Sequence, residues 1–324
     1  MGAQPRTKRV AVIGECLIEL NGTPFGTLHQ TFGGDSLNTA LYLARLTRPT
    51  LEVQYVTAVG EDPLSEGMVQ RWQAESISTR WVLRDPSRLP GLYWIQVDAS
   101  GERSFLYWRG ESAARYLLRH PDFERVAANL AQIDLIYLSG ISLAILLEED
   151  RAKLTTLLTR LAARGVAIAF DTNYRPALWP SVETARAAIH ALTPATRLMF
   201  VTLEDEQRLW GDASPEETLK RLRAASVPSI VIKLGAAGCL YSDGGTAIRV
   251  APSPVANVVD TTAAGDAFNA AFLAAWLAGR SPKDCCQLGN SLAGAVIQHR
   301  GAIIPATAMP ALSEWLGSVT KHRV

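Results

Sequence analysis

Asp260 to Asp266 reads D-T-T-A-A-G-D and runs into A-F-N-A-A-F-L-A-A-W-L-A-G over 267–279. Small residues let a backbone turn sharply and bring its N–H groups close to a ligand. If a helix opens here, its first turn has unpaired donors and the positive end of a dipole, which together make an anion site. Asp266 puts a carboxylate inside that site. A lone acid would repel a phosphate, so its presence suggests a task, the removal of a proton from a hydroxyl that attacks phosphorus. A plain loop with an Asp capping a helix reads the same way locally. The helix after the turn favours the special role. Phe268, Phe272, Ala275 and Trp276 keep helical spacing while Leu273 and Leu277 make the other side apolar. A helix apolar all round is buried, and Gly279 can end it. The turn is therefore expected at the centre of the molecule.

The rest of the chain alternates short β-rich runs with helical stretches. Strands are expected at 9–14, 53–59, 135–139, 166–170, 198–201 and 230–233, and helices at 36–46, 64–75, 148–164, 182–192 and 215–225. This rhythm predicts a mostly parallel sheet covered by helices on both faces, with ligands beyond the carboxyl ends of the strands. One part breaks it. L-Y-W-I-Q-V-D-A-S-G-E-R-S-F-L-Y-W-R (92–109) reads as a hairpin turning at Ala99–Glu102, either a small flap over the main sheet or an ordinary edge hairpin.

Composition narrows the classes. The chain has 324 residues, 48% hydrophobic and 19% charged, with a net charge of +1. That supplies an ample core and gives no reason to expect nucleic acid or a membrane surface as partner. Cys16, Cys239, Cys285 and Cys286 show no metal-ligand spacing and read as reduced thiols. The start, M-G-A-Q-P-R-T-K-R, has no apolar signal core, and no apolar run reaches spanning length, so a cytoplasmic protein is expected. G-x-x-x-x-G-K-[ST] and G-x-S-x-G are absent, and the first strand leads into G-E-C-L-I-E rather than G-x-G-x-x-G.

Other stretches offer candidate chemistry. F-G-G-D-S-L-N-T-A (32–40) places Gly33 and Gly34 before a helix beginning near Asp35, with Asn38 one turn in. D-T-N-Y-R-P (171–176) puts Arg175 at a strand's carboxyl end, where it can hold a carboxylate or phosphate by two hydrogen bonds. Arg109 is a second clamp of that kind, unless it is merely a solvated strand-end charge. K-L-G-A-A-G-C-L (233–240) is a strand, a Gly turn and a strand that could lie along a nucleotide, and T-L-E-D-E-Q (202–207) offers three acids that could reach Mg²⁺ through water or simply start a solvated helix.

G-G-D-S-L-N-T-A and D-T-T-A-A-G-D-A-F together resemble the paired signatures of ribokinase-like (PfkB) carbohydrate kinases. G-E-C-L-I-E-L, S-G-E-R-S-F-L-Y-W-R, L-S-G-I-S-L-A-I-L, D-T-N-Y-R-P-A-L-W and V-I-Q-H-R-G-A-I-I-P extend the likeness over nearly the whole chain, toward members that phosphorylate sugar acids. The resemblance implies a three-layer α/β/α domain with a mostly parallel central sheet and a discontinuous β-lid from about 15–33 and 91–111. It implies ATP and a small sugar acid as partners, with Mg²⁺. Asp266 would be the base, with the N–H groups of Ala263, Ala264, Gly265 and Asp266 as anion hole. Gly34, Asn38, Tyr93, Tyr107, Arg109 and Arg175 would surround the sugar acid, and Asn173, Lys233, Gly235, Gly238 and Asn290 would lie against ATP. Two departures stand out. Ala263 replaces the first Gly of the usual G-A-G-D, and the N-x-x-E linked to Mg²⁺ is Thr202-Leu203-Glu204-Asp205, leaving Asp205 as the metal-side acid. Glu19 also stands where an Asp is usual. A monovalent cation (K⁺) near Asp260 and Thr262 is left open, and an apolar flap suggests a homo-oligomer. A kinase for fructose or another neutral sugar, or a silent sugar sensor on the same fold, are the alternatives.

Overall fold

Val10, Ala11, Val12 and Ile13 are all buried, yet Val10 and Val12 join one apolar cluster and Ala11 and Ile13 the other. A strand turns successive side chains to opposite faces, so one that is apolar at every position must be covered on both sides. The computed structural model, which describes residues 7–97 and 103–311, repeats this pattern across a sheet. Among the described residues that sheet has nine strands, in the spatial order Ile248–Val250, Cys239–Ser242, Ser229–Lys233, Leu198–Thr202, Ala167–Asp171, Leu135–Ser139, Lys8–Ile13, Leu51–Gly60 and Ser78–Asp85. The first two named are antiparallel to their neighbours and the rest run parallel. The expected strands and helices are present with ends shifted by at most two residues.

Lys8–Ile13 sits between Leu51–Gly60 and Leu135–Ser139, so the order of strands reverses beside it. Ligands in such sheets gather at that reversal, beyond the carboxyl ends. Asp171, Thr202 and Lys233 are the last residues of three neighbouring parallel strands, and all three line one cavity.

A separate four-stranded sheet, in the order Leu28–Gly33, Leu17–Gly22, Leu92–Val97, Arg103–Trp108, is built from the two segments expected for the flap. Leu92–Val97 and Arg103–Trp108 pair antiparallel, as a hairpin requires. The expected turn at Ala99–Glu102 lies outside the described residues. Tyr93 faces Tyr107 across the pair with ring centroids 5.8 Å apart, and Phe105 stacks on Tyr107 at 6.3 Å.

Candidate active site

The helix Ala264–Leu277 is buried on nearly every side from Ala267 to Ala275. Phe272 packs edge-on against Phe200 at 5.3 Å and stacks on Phe268 at 6.1 Å. Gly279, at φ 71°, closes the helix, as its position in the sequence suggests. Packing thus drives the opposite end into the middle of the protein. No side chain caps that end. Thr261 to Asp266 line a cavity of about 580 Å³ there, and Asp266 is the third residue of the helix, inside its first turn rather than ahead of it. Ala263, which stands in for the usual Gly, adopts the left-handed conformation (φ 60°) that a Gly takes without strain.

Asp266 is surrounded by groups from four other elements. Asn38, from the helix Asp35–Thr47, donates from Nδ2 to Asp266 Oδ2 at 2.9 Å. Gly34 starts that helix, and a Cβ there would lie 2.4 Å from the Glu15 carbonyl oxygen, so glycine is what lets the two loops meet. Lys233 Nζ bonds Asp171 Oδ2 at 2.8 Å and stands 3.3 Å from where a Cβ on Gly265 would be. Asp171 also accepts from Asn269 Nδ2 at 2.6 Å, one turn further along the Asp266 helix. Burial first, then the Asp35 carboxylate, push Asp266 up to about 7, with a further push from Asp171 and against the pull of Asn38 and Lys233. A carboxyl group that ionises near neutrality is a stronger base than an ordinary Asp and still ionised enough to act.

The flap closes the other side of the cavity with Tyr93, Phe105, Tyr107 and Arg109. Its expected clamp is already engaged. Arg109 Nη2 donates to Glu15, whose side chain is 1% exposed against 12% for Arg109. Glu15 Oε1 and Arg109 Nε are buried without hydrogen-bond partners, so each keeps unused capacity. Tyr93 donates its hydroxyl to Glu19, the acid in the usual Asp position. Burial, followed by that carboxylate, holds the Tyr93 hydroxyl far above its ordinary value. Arg175 is half exposed and lies 3.3 Å from Asp205.

The acids of 204–206 divide three ways. Glu204 is exposed, and Asp205 lines the cavity with its carboxyl raised by burial. Glu206 turns inward to Arg221 at 2.5 Å and Thr172 at 2.9 Å, with burial pushing it to about 7. Among the described residues no group of three or more His, Cys, Asp or Glu could hold a metal by itself. Of the candidates for ATP, Asn173 and Lys233 line the cavity. Gly235 and Gly238 lie in the turn that follows Lys233, outside the cavity lining. Asn290 is buried and donates to the Val250 carbonyl at 3.1 Å, the same carbonyl that a Cβ on Gly238 would meet at 2.1 Å. Asp260 and Thr262 bond to each other at 2.7 Å, and Asp260 also accepts from the Gly301 N–H. Asp35 and Asp171 line the cavity too, and the sequence by itself assigns neither of them a role.

With a buried helix turn carrying Asp266 and a four-stranded flap opposite it, the chain can be set beside known proteins. The model for pfkB family carbohydrate kinases matches residues 7–309. The chain belongs to this family. Two relatives, both named 2-dehydro-3-deoxygluconokinase, are 51% identical (Haemophilus influenzae; 93% of this chain and 97% of the relative) and 49% identical (Dickeya dadantii; 94% and 99%). A fructokinase from Xylella fastidiosa with bound ATP superposes with a TM-score of 0.80 at 22% identity, over 97% of this chain and 98% of that one. Identity that low speaks for a shared fold. As a family member the chain is a carbohydrate kinase, and Asp266 with its helix turn occupies the family's second signature.

Proposed function

We propose that the protein is a 2-dehydro-3-deoxygluconokinase, transferring the γ-phosphoryl group of ATP to the C6 hydroxyl of 2-keto-3-deoxygluconate. The observation that carries this reading is Asp266, poised near neutrality inside an uncapped helix turn at the cavity floor. The names of the two relatives near 50% identity support the choice of sugar acid. So do Arg109 and Arg175 on the cavity wall, since two guanidinium groups suit a carboxylate better than a neutral sugar.

The hydroxyl proton passes to Asp266 as the C6 oxygen bonds to the γ-phosphorus, and the bond from that phosphorus to the bridging oxygen of ADP breaks. The transition state is loose, so the proton can leave late and general-base help of about 10²–10⁴-fold suffices. The N–H groups of the Ala263–Asp266 turn and the Lys233 ammonium stabilise the charge on the moving group. Tyr93, Phe105 and Tyr107 exclude water, whose attack would hydrolyse ATP. The cavity suits Mg²⁺, an ion that takes one or two carboxylates together with nucleotide phosphates, because Asp171 and Asp205 both line it. Asp205 would hold the ion through water, and the ion would neutralise charge on the phosphates. A K⁺ ion near Asp260 and Thr262 belongs to the same proposal. So do a cytoplasmic setting, supported by four buried free thiols, and a homo-oligomer, supported by the exposed Leu106 and Trp108 of the flap.

The reading is tested by ADP release. Purified protein should release ADP with 2-keto-3-deoxygluconate and little with fructose or without sugar. Equal turnover of fructose would make it a neutral-sugar kinase, and no turnover of any sugar would make it a sensor. The pH profile is a second check. Only ionised Asp266 can take the proton, and its raised affinity for protons places the acid limb high. kcat/KM should therefore rise with pH through a midpoint near 7. A profile flat from about pH 5 to about pH 9 would mean that Asp266 is not the base.

A further inference from the structure

Four carboxylates face a cavity that must accept two anions, and three of them have evident reasons to be there. Asp171 holds Lys233, Asp205 faces Arg175, and Asp266 is the base. Among the described residues Asp35 has no cation. Its Oδ2 accepts from Asn173 Nδ2 at 2.8 Å, which fixes the rotation of the carboxylate. Among those same residues nothing donates to its Oδ1. The residue is not the helix cap either, since Gly34 occupies that position. An oriented carboxylate with a spare oxygen is a hydrogen-bond acceptor, and the donors that a sugar acid brings are its hydroxyls.

Helical geometry says which hydroxyl. Asp35 and Asn38 stand three apart on one helix face, about 5–6 Å between Cβ atoms. Asn38 bonds directly to Asp266. A substrate whose C6 hydroxyl lies at Asp266 therefore brings a hydroxyl further along its chain to Asp35. The gap suits a 1,3-related pair of oxygens better than an adjacent pair, which selects C4. The negative charge of Asp35 also turns the substrate's carboxylate away, toward the arginines of the opposite wall.

We propose that Asp35 accepts a hydrogen bond from the C4 hydroxyl of the sugar acid and so sets which C4 epimer reacts. This rests on the sugar-acid kinase reading above. Asp35→Asn leaves an amide oxygen for Asn173 while removing the charged acceptor. The expected result is a KM for 2-keto-3-deoxygluconate raised at least about tenfold, the KM for ATP within about twofold, and the preference over 2-keto-3-deoxygalactonate, the C4 epimer, reduced about tenfold. Asp35→Ser, which keeps a short hydroxyl, should show the same loss of preference. Equal losses on both epimers, or an effect confined to the KM for ATP, would overturn the role and leave Asp35 a brace for Asn173. An active parent with an unchanged epimer ratio in both variants overturns only Asp35. A parent inactive on both epimers overturns the kinase reading itself and the inference with it.

Discussion

Asp266→Asn is expected to lower kcat at least about a hundredfold while sugar-acid binding stays within a few-fold of the parent. The amide fills the same space and still offers Asn38 an oxygen, so the 2.9 Å contact has no reason to break. What disappears is the proton acceptor. Stability should move the other way. Ionising Asp266 is disfavoured in the folded protein by burial and by Asp35, so its charge weakens the fold above a pH of about 7 and has no effect below the unfolded carboxyl range. The neutral amide should therefore unfold at a higher temperature than the parent at alkaline pH. Near-normal turnover in this variant would remove Asp266 from the mechanism.

Arg109→Ala should have the second largest effect, on two quantities at once. It strands Glu15, whose side chain is almost fully buried, without its cation. Removing one partner of a buried ion pair typically costs about 3–5 kcal/mol, far more than the pair itself is worth. It should also raise the KM for the sugar acid well above any change seen with a neutral ketose. The double variant Glu15→Gln with Arg109→Ala separates the two effects. Thermal stability should largely return, because the orphaned charge is gone, while discrimination in favour of the acid should not. Equal impairment of acid and neutral substrates would mean that Arg109 only braces Glu15.

Local features of the chain were the legible ones. The D-T-T-A-A-G-D turn and its apolar helix could be read because a helix buried all round declares itself in a dozen consecutive residues. The parallel strands, apolar at successive positions, declared themselves in the same way. Three kinds of feature were not legible. The edge strand Ser78–Asp85 alternates buried and half-exposed positions and carries Arg80, Arg84 and Asp85, which hide its period. The helix Pro282–Val296 contains Gly289 and Gly294, poor helix formers. Gly289 is there because a Cβ would come within 2.7 Å of the Phe268 ring, so close packing against the neighbouring helix overrode propensity. The pairings inside the site were the hardest. Arg109 meets Glu15 across 94 positions and Asn173 meets Asp35 across 138, distances over which spacing in a sequence carries no signal. Arg109 therefore read as a free clamp when it is half of an ion pair, and Asp35 read only as a helix start.

Phosphoryl charge gathering at the buried helix turn beside Asp266 is the claim on which the mechanism depends. A crystal structure with a non-hydrolysable ATP analogue and 2-keto-3-deoxygluconate measures this directly. The terminal phosphate should lie against the N–H groups of Ala263 to Asp266, with the C6 hydroxyl within hydrogen-bond reach of the Asp266 carboxylate. A terminal phosphate bound elsewhere, or a sugar acid with its carboxylate rather than its C6 hydroxyl at Asp266, would contradict the claim.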